Sequence, residues 1–420
     1  MDQIYSRAEL TLVAAAGADA RYGLPGVGQR TRKPQENINI GSLKLVRIPP
    51  HTSCALRFSV WASRGWTYQE GILSRRRLIF TDDQVSYLCN EMHCVETANM
   101  RPEPVNKKER NTPFTGFLPR AVNSNTGYEE WGEYRDIKGH IMEFSKRRLS
   151  YDYDALNAIL GIFYSLRGSK EMLLQHLYGL PVKLLLPSST VVIPLHWYHD
   201  SVARRRENFP SWSWTGWDGA VRMTDPDIQA PNDCQIGVQS EAKSSMSLFQ
   251  FMDLRRSAEK AALFNPLRVL SITARTISVT LRWKTWGKLN DSFSQETQKG
   301  SVRFLDGFHA VLSMTEIFLA WVYAYLDREI LHSSEVVGLI LGKPTSKTGV
   351  GILLLEAHGE WYQRVGILRY REGRGTEAGG NHIPQIVYVD AEDNILDEIE
   401  YAESFPLWLQ EAEIRTIGIV

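Results

Sequence analysis

Cysteine is scarce in this sequence, with four in 420 residues. That excludes a disulfide scaffold and makes a reducing compartment the expectation. An excess of charge of one sign is also lacking. The 48 Lys and Arg are matched by 48 Asp and Glu, so there is no long-range field of the kind a general nucleic-acid binder uses. Long hydrophobic runs are missing too. The longest, residues 317–326, is half of what a membrane-crossing helix needs. The opening MDQIYSRAEL lacks a basic segment leading into an apolar core, which is not the pattern of a secretory leader. The expectation is therefore a cytoplasmic chain without a membrane span or nucleic-acid partner, and the sequon Asn290-Asp291-Ser292 then carries no glycan.

Several chemical signatures are absent or fragmentary. No G-x-S-x-G elbow occurs. Ser257-Ala258-Glu259-Lys260 and Lys347-Thr348-Gly349 imitate two penicillin-binding motifs, but the S-D-N element that must accompany them is missing. Gly342 to Thr348 lacks the glycine before Lys347 that a phosphate loop requires. Cys89, Glu91, His93 and Cys94 lie close together, yet Cys54 and Cys234 stand alone and supply no second pair, so no metal site is expected. His196 and His199 read as ordinary polar positions with no carboxylate cluster beside them in sequence. The clusters 75–77, 146–148 and 204–206 of Arg and Lys read as solvated edges or helix ends.

What is present is core material: 43% hydrophobic residues and 12 Trp, enough for two or three domains. Ile4, Ala8 and Leu12 keep helical spacing, and residues 10–16 form a nearly unbroken apolar run typical of a buried element. Residues 17–28 are glycine-rich loop, and 43–48 alternate as a short strand before Pro49-Pro50. Ser63 is placed to cap a short helix over 64–70. Residues 78–81 and 85–89 predict a β-hairpin, and 99–128 a surface loop. Helices are predicted over 128–149, with Trp131, Tyr134, Ile137, Ile141 and Phe144 on one face, and from Asp152 to Gly168. A third is predicted over 170–177, closed by Gly179. Residues 191–195 read as a strand. In 209–217, Trp212 and Trp214 share one strand face, with Ser211, Ser213 and Thr215 on the other. Residues 224–256 are polar and expected to be irregular. Strands then dominate at 270–282, 336–341, 351–355, 366–370 and 386–390.

One segment departs from core chemistry. If residues 65–72 are helical, Trp66, Gln69 and Glu70 fall at i, i+3 and i+4, with Arg64 just ahead. An indole beside an amide, a carboxylate and a guanidinium suits either a half-buried Trp with an Arg–Glu pair holding a helix end, or a polar pocket or contact surface.

Ser63-Arg64-Gly65-Trp66-Thr67-Tyr68-Gln69-Glu70, followed by Leu73-Ser74-Arg75-Arg76 and Leu78-Ile79-Phe80-Thr81, resembles the last motif block of the fungal heterokaryon-incompatibility (HET) domain. Met1, Ile4-Tyr5, Ala8, Val13 to Gly17 and Gly23-Leu24-Pro25-Gly26 resemble the end of its middle block. Tyr151, Asp154-Ala155-Leu156, Gly161-Ile162 and Phe209-Pro210-Ser211-Trp212-Ser213-Trp214 resemble the extension that commonly follows it in filamentous fungi. The family's aromatic-Ala-Trp-Gly block and the Asp- and Cys-containing core of its middle block have no counterpart here. The expectation is a chain that begins inside the domain: a fragment, and an incomplete or non-functional copy.

The resemblance implies an α+β protein organised as a partial HET domain (1–98), a helical extension ending in the Pro210–Trp214 strand (99–220) and a β-rich region (221–420). The first part would be the remnant of a Toll/interleukin-receptor (TIR)-like α/β fold. It implies self/non-self recognition and programmed cell death, with protein partners or self-association and no cofactor. Arg64, Gly65, Trp66, Thr67, Gln69 and Glu70 are the family motif residues. The alternative is an NAD-cleaving enzyme in which Glu70 stabilises an oxocarbenium-like ribosyl centre, with Arg64 and Gln69 nearby; in this form enzymatic activity is not expected.

Overall fold

In the computed structural model, the apolar run near the start of the chain forms β1 (Thr11–Ala14), preceded by α1 (Asp2–Arg7). The structure describes residues 1–89, 92–96, 103–104, 132–166, 172–223, 228–230, 234–239, 245–257, 268–284, 307–313, 319–330, 332, 334–341, 350–370, 386–389 and 412–420. The predicted loop at 99–128, Glu91, Trp131, Gly168, the sequon and the 342–349 segment lie outside them, apart from the pair 103–104. The chain is α+β and divides into two compact units, Met1–Pro181 and Val182–Val420. The boundaries expected at 98/99 and 220/221 fall inside these units.

In the first unit, β1 lies parallel to β4 (Arg76–Phe80), with Val13 opposite Ile79. Parallel neighbours need a long crossover, and residues 15–75 supply it. It carries a hairpin of β2 (Asn37–Ile40) and β3 (Leu43–Val46), then α2 (Thr52–Arg57), α3 (Val60–Ser63) and α4 (Thr67–Leu73). The sheet continues antiparallel through β5 (Val85–Cys89), β6 (Met92–Val95) and β7 (Glu103–Pro104). The β4–β5 pair is the predicted hairpin. Val13, Leu56, Trp61, Ile79 and Leu88 form the core beneath it. Ser63 does not cap the motif helix. It closes α3, whose cap is Ser59 accepting from Ala62 N, and Trp66 occupies the N-cap of α4 without a side-chain capping bond. The chain is already helical at Ser63, so its hydroxyl turns back to the Val60 carbonyl at 2.8 Å.

The helical pair follows as α5 (Gly132–Phe144) and α6 (Asp154–Ser165). Ile137, Ile141 and Phe144 are buried, as are Ala155, Ile159 and Phe163. The third predicted helix is instead strand β8 (Met172–Leu177). Its glycine serves a turn: Tyr178 and Gly179 both take positive φ, 47° and 88°, which suits a two-residue reversal.

The second unit is built mostly of strands. It contains β9 (Leu180–Leu185), in which the unit boundary falls, β10 (Thr190–Ile193) and the short strands β11 (Tyr198–His199), β12 (Arg204–Arg205), β13 (Trp217–Asp218) and β14 (Val221–Arg222). The segment expected to be irregular contains β15 (Ile228–Ala230), β16 (Gln235–Gln239), β17 (Ser245–Ser247) and α7 (Leu248–Ser257). Its polar composition hides sparse apolar positions that do the packing, Leu248, Phe251 and Met252 among them. The β-rich end supplies β18 (Leu270–Lys284), β19 (Gly307–Ser313), β20 (Leu319–Leu326), β21 (Ser334–Leu341), β22 (Val350–His358), β23 (Trp361–Tyr370), β24 (Ile386–Val389) and β25 (Glu413–Ile419). The pairings β18–β19, β19–β20, β20–β23, β23–β22, β22–β21 and β21–β18 are all antiparallel and return to their start, so these six strands close a ring. Closure removes exposed edges. β25 lies along β18 from Leu270 opposite Ile419 to Thr276 opposite Glu413.

Candidate functional site

The motif helix α4 meets the helical extension through its polar side chains. The Trp66 indole Nε1 donates to Asp154 Oδ2 at 3.0 Å, and the Gln69 amide donates to the Asn157 carbonyl at 3.0 Å. Both acceptors are on α6. Gln69 is buried, and its approach depends on Gly161, where an added Cβ would stand 2.1 Å from Gln69 Oε1. The Tyr68 hydroxyl reaches His140 Nδ1 of α5 at 2.9 Å. Burial pushes the Tyr68 phenol up and lowers His140 to about 4, a neutral pair at pH 7. The Arg147 guanidinium lies 4.5 Å from the Tyr68 ring centroid, and its burial lowers it to about 10.

The entry to α4 is fixed by backbone. Gly65 N donates to the Arg148 carbonyl at 2.8 Å, and Arg148 N to the Ser63 carbonyl at 2.7 Å. Gly65 leaves room for Leu149, whose Cδ2 would lie 2.3 Å from an added Cβ. The Thr67 hydroxyl donates to the carbonyls of Trp61 and, at 2.7 Å, of Arg64.

Glu70 faces a different set of groups from Trp66 and Gln69. Its carboxylate accepts from Trp61 Nε1 at 3.1 Å. Tyr5 of α1 lies near it, and burial together with that carboxylate pushes the Tyr5 phenol up to about 12. Arg64 is exposed and forms no ion pair with Glu70. The half-buried Trp of the sequence reading is therefore present, but the Arg–Glu pair is not. Below the helix, Arg77 is buried and donates to the Gly71 carbonyl at 2.6 Å and to the Ile72 carbonyl at 3.4 Å.

In the second unit, Pro210, Ser211, Trp212, Ser213 and Trp214 do not form a strand. They make a tight turn running into a single 3₁₀ turn, Trp214–Gly216, capped by Ser213 accepting from Thr215 N. Both faces are buried, since Ser211, Ser213 and Thr215 are as inaccessible as the tryptophans. The serines act locally and on neighbouring strands, which an alternating strand could not do. Pro210 O accepts from Ser213 N at 3.2 Å, the Ser211 hydroxyl donates to the Val420 carbonyl, and Arg364 N donates to Ser211 Oγ at 3.0 Å. Trp212 Nε1 donates to the Arg268 carbonyl at 2.8 Å.

Beside this turn lies a charged group that sequence spacing could not reveal. Arg364 and Asp327 form a fully buried pair at 2.7 Å, and the guanidinium stacks 3.4 Å from the Trp197 ring centroid while donating to the Leu195 and Trp197 carbonyls. His199 brings Nε2 within 4.0 Å of Asp327 Oδ1, with Nδ1 against the Ala220 carbonyl at 2.9 Å. Burial lowers His199, and Asp327 opposes that. His199 thus does have a carboxylate beside it, contributed by a strand end 128 residues later. The basic clusters are mixed: Arg75, Arg76, Lys146, Arg148 and Arg204 are exposed, as solvated edges are. Arg77, Arg147 and Arg206 are buried and donate to carbonyls, Arg206 also pairing with Asp218 Oδ1 at 2.6 Å, because five N–H groups can serve several acceptors at once.

Both sites are hydrogen-bonded networks joining elements, and in the second His199 Nε2 and Asp327 Oδ1 face each other at 4.0 Å without a hydrogen bond. Around α4, the motif residues bring together α1, α3, α5 and α6; Arg64 is the member left at the surface. In the comparisons with known proteins, no curated protein and no solved structure matches the chain. The family model described as heterokaryon incompatibility protein (HET) matches residues 1–70, the stretch that runs from α1 to the middle of α4. Over residues 1–70 the chain is therefore similar to the heterokaryon incompatibility family.

Proposed function

We propose that this chain is a recognition and cell-death signalling protein of the heterokaryon-incompatibility type, acting in the cytoplasm of a filamentous fungus through protein partners or self-association. The observation that carries this reading is the family match over residues 1–70. The parallel β1–β4 pair with its helical crossover supports a TIR-like α/β origin for this part. We assign the motif residues a holding role. Trp66, Tyr68 and Gln69 fasten the HET segment to α5 and α6, and Glu70 fastens α4 to α3. The HET segment and the helical extension then move as one body when a partner engages either.

The test is inducible expression of the full chain in a filamentous fungal host, alone and fused to a chemically dimerised module. Growth arrest and vital-dye uptake on clustering are expected. Normal growth with the protein accumulated to a verified level defeats the reading. Nicotinamide released from NAD by the purified chain, and lost in Glu70→Gln, would replace signalling by association with an enzymatic reading.

A further inference from the structure

We propose that the β2–β3 hairpin is a peripheral docking element for an anionic lipid bilayer. In the register of this hairpin, Ile38 is opposite Leu45 and Ile40 opposite Leu43. Residues of equal parity share a face, so these four branched side chains form one apolar face. All four are more than half exposed, at 63, 54, 59 and 67% respectively. The other face carries Asn37, Asn39, Lys44 and Val46. The reversal is a two-residue turn, Gly41-Ser42, with Gly41 at φ +60°, which gives a tight tip. Residues 33–48 are exposed throughout, and no third strand joins the pair among the described residues. A lone two-stranded hairpin is marginal in water, so an exposed apolar face on one marks a surface that gains by being covered.

The base of the hairpin is held by the β4–β5 turn. Lys33 N donates to the Asp82 carbonyl at 2.9 Å, and Gln84 Nε2 to the Pro50 carbonyl at 3.3 Å. The acids nearby, Glu36, Asp82, Asp83 and Glu96, belong to that base, where Glu36 pairs with Arg47 at 2.8 Å and Glu96 with Arg32. Charge selects the occupant. The whole chain is neutral, yet residues 30–57 hold six Lys and Arg against one Glu, and setting the adjoining Asp82, Asp83 and Glu96 against them still leaves a net charge of +2. Lys33, Lys44 and Arg57 have no ion pair among the described residues. A second copy would bring two such segments together and repel. An apolar tip with basic flanks fits an interface that is apolar below and anionic above, as in a bilayer containing acidic lipids. A four-residue strand reaches about 13 Å, enough for the ~5–10 Å depth of interfacial insertion and far too short to span. This inference is independent of the signalling role.

The experiment is co-flotation of the full chain with vesicles of phosphatidylcholine and phosphatidylserine, against vesicles of phosphatidylcholine alone, at low and high salt. Binding to the phosphatidylserine vesicles, weakened by salt, is expected. The pairs Ile40→Asp with Leu43→Asp, and Lys33→Glu with Lys44→Glu, should each lower partitioning about tenfold or more, with unchanged circular dichroism because the hairpin carries no core. Failure to bind, or binding that both pairs leave intact, overturns the proposal. So does a dimer in light scattering that the apolar pair dissolves without any vesicle binding, which assigns the face to a second copy. Binding to polyglutamate but not to vesicles assigns it to an acidic polypeptide and overturns the proposal equally.

Discussion

Gly161 is the residue on which the join between α4 and α6 depends most directly. A methyl group there would meet Gln69 Oε1 at 2.1 Å, the Asp2 Cβ at 2.6 Å and Leu73 Cδ1 at 3.0 Å. Gly161→Ala should destabilise the chain by about 1–3 kcal/mol, as overpacking does. Gln69→Ala in that background should recover part of the loss, because the shortened side chain vacates the clash. Urea denaturation of the four proteins gives the coupling; costs that simply add would show that the two residues do not touch. Helical spacing made the polar face of Trp66, Gln69 and Glu70 legible. It could not say that Trp66 and Gln69 reach Asp154 and Asn157 while Glu70 turns to Trp61. Spacing fixes direction around a helix axis, whereas partners are set by elements that return from 88 residues away.

At the scale of elements, α5 and α4 are joined by the Tyr68–His140 bond, which has a pH signature. His140 is lowered by burial to about 4 when folded, and an unfolded histidine titrates near 6.5. Between these values the unfolded chain binds more protons, so stability falls as pH falls through this window and is retained above it. The loss from pH 7 to pH 5 should be about 1–2 kcal/mol from this group, allowing for its partial exposure. His140→Gln keeps a side-chain partner for Tyr68 without titrating. Its urea midpoint should change less between the two pH values than that of the parent, and an equal change would remove His140 as the cause. Helices α5 and α6 were readable because an amphipathic stripe of 12–13 residues outweighs local ambiguity. Residues 172–177 were not, since a short apolar run before a glycine suits a helix stop and a hairpin turn equally. The Pro210–Trp214 segment misled for another reason. Period two in Trp and Ser looks like a strand, but every position is buried, and hydroxyls that cap and bridge made a turn the better solution.

At the scale of the molecule, the second unit combines a closed ring of strands with one buried ion pair. Asp327→Ala would leave Arg364 charged and enclosed, and breaking such a pair costs about 3–5 kcal/mol. The fluorescence of Trp197, Trp212, Trp214 and Trp217, all buried in this unit, reports its unfolding. The urea midpoint read from that signal should drop accordingly. A variant within 1 kcal/mol, roughly the worth of a surface pair, would mean that the pair is not enclosed. By itself the sequence determined the class, the family segment, helices α4 to α6, the β4–β5 hairpin and several long strands of the β-rich end, β18 and β21 to β23 among them, because those rest on composition, motif and periodicity, which are local. Only the tertiary structure decided that β18 to β23 close on themselves, that Asp327 meets His199 and Arg364, and that the motif helix spends its polar side chains on its neighbours. These are matters of long-range pairing, where the chain satisfies buried donors and acceptors with whatever distant groups packing brings within reach.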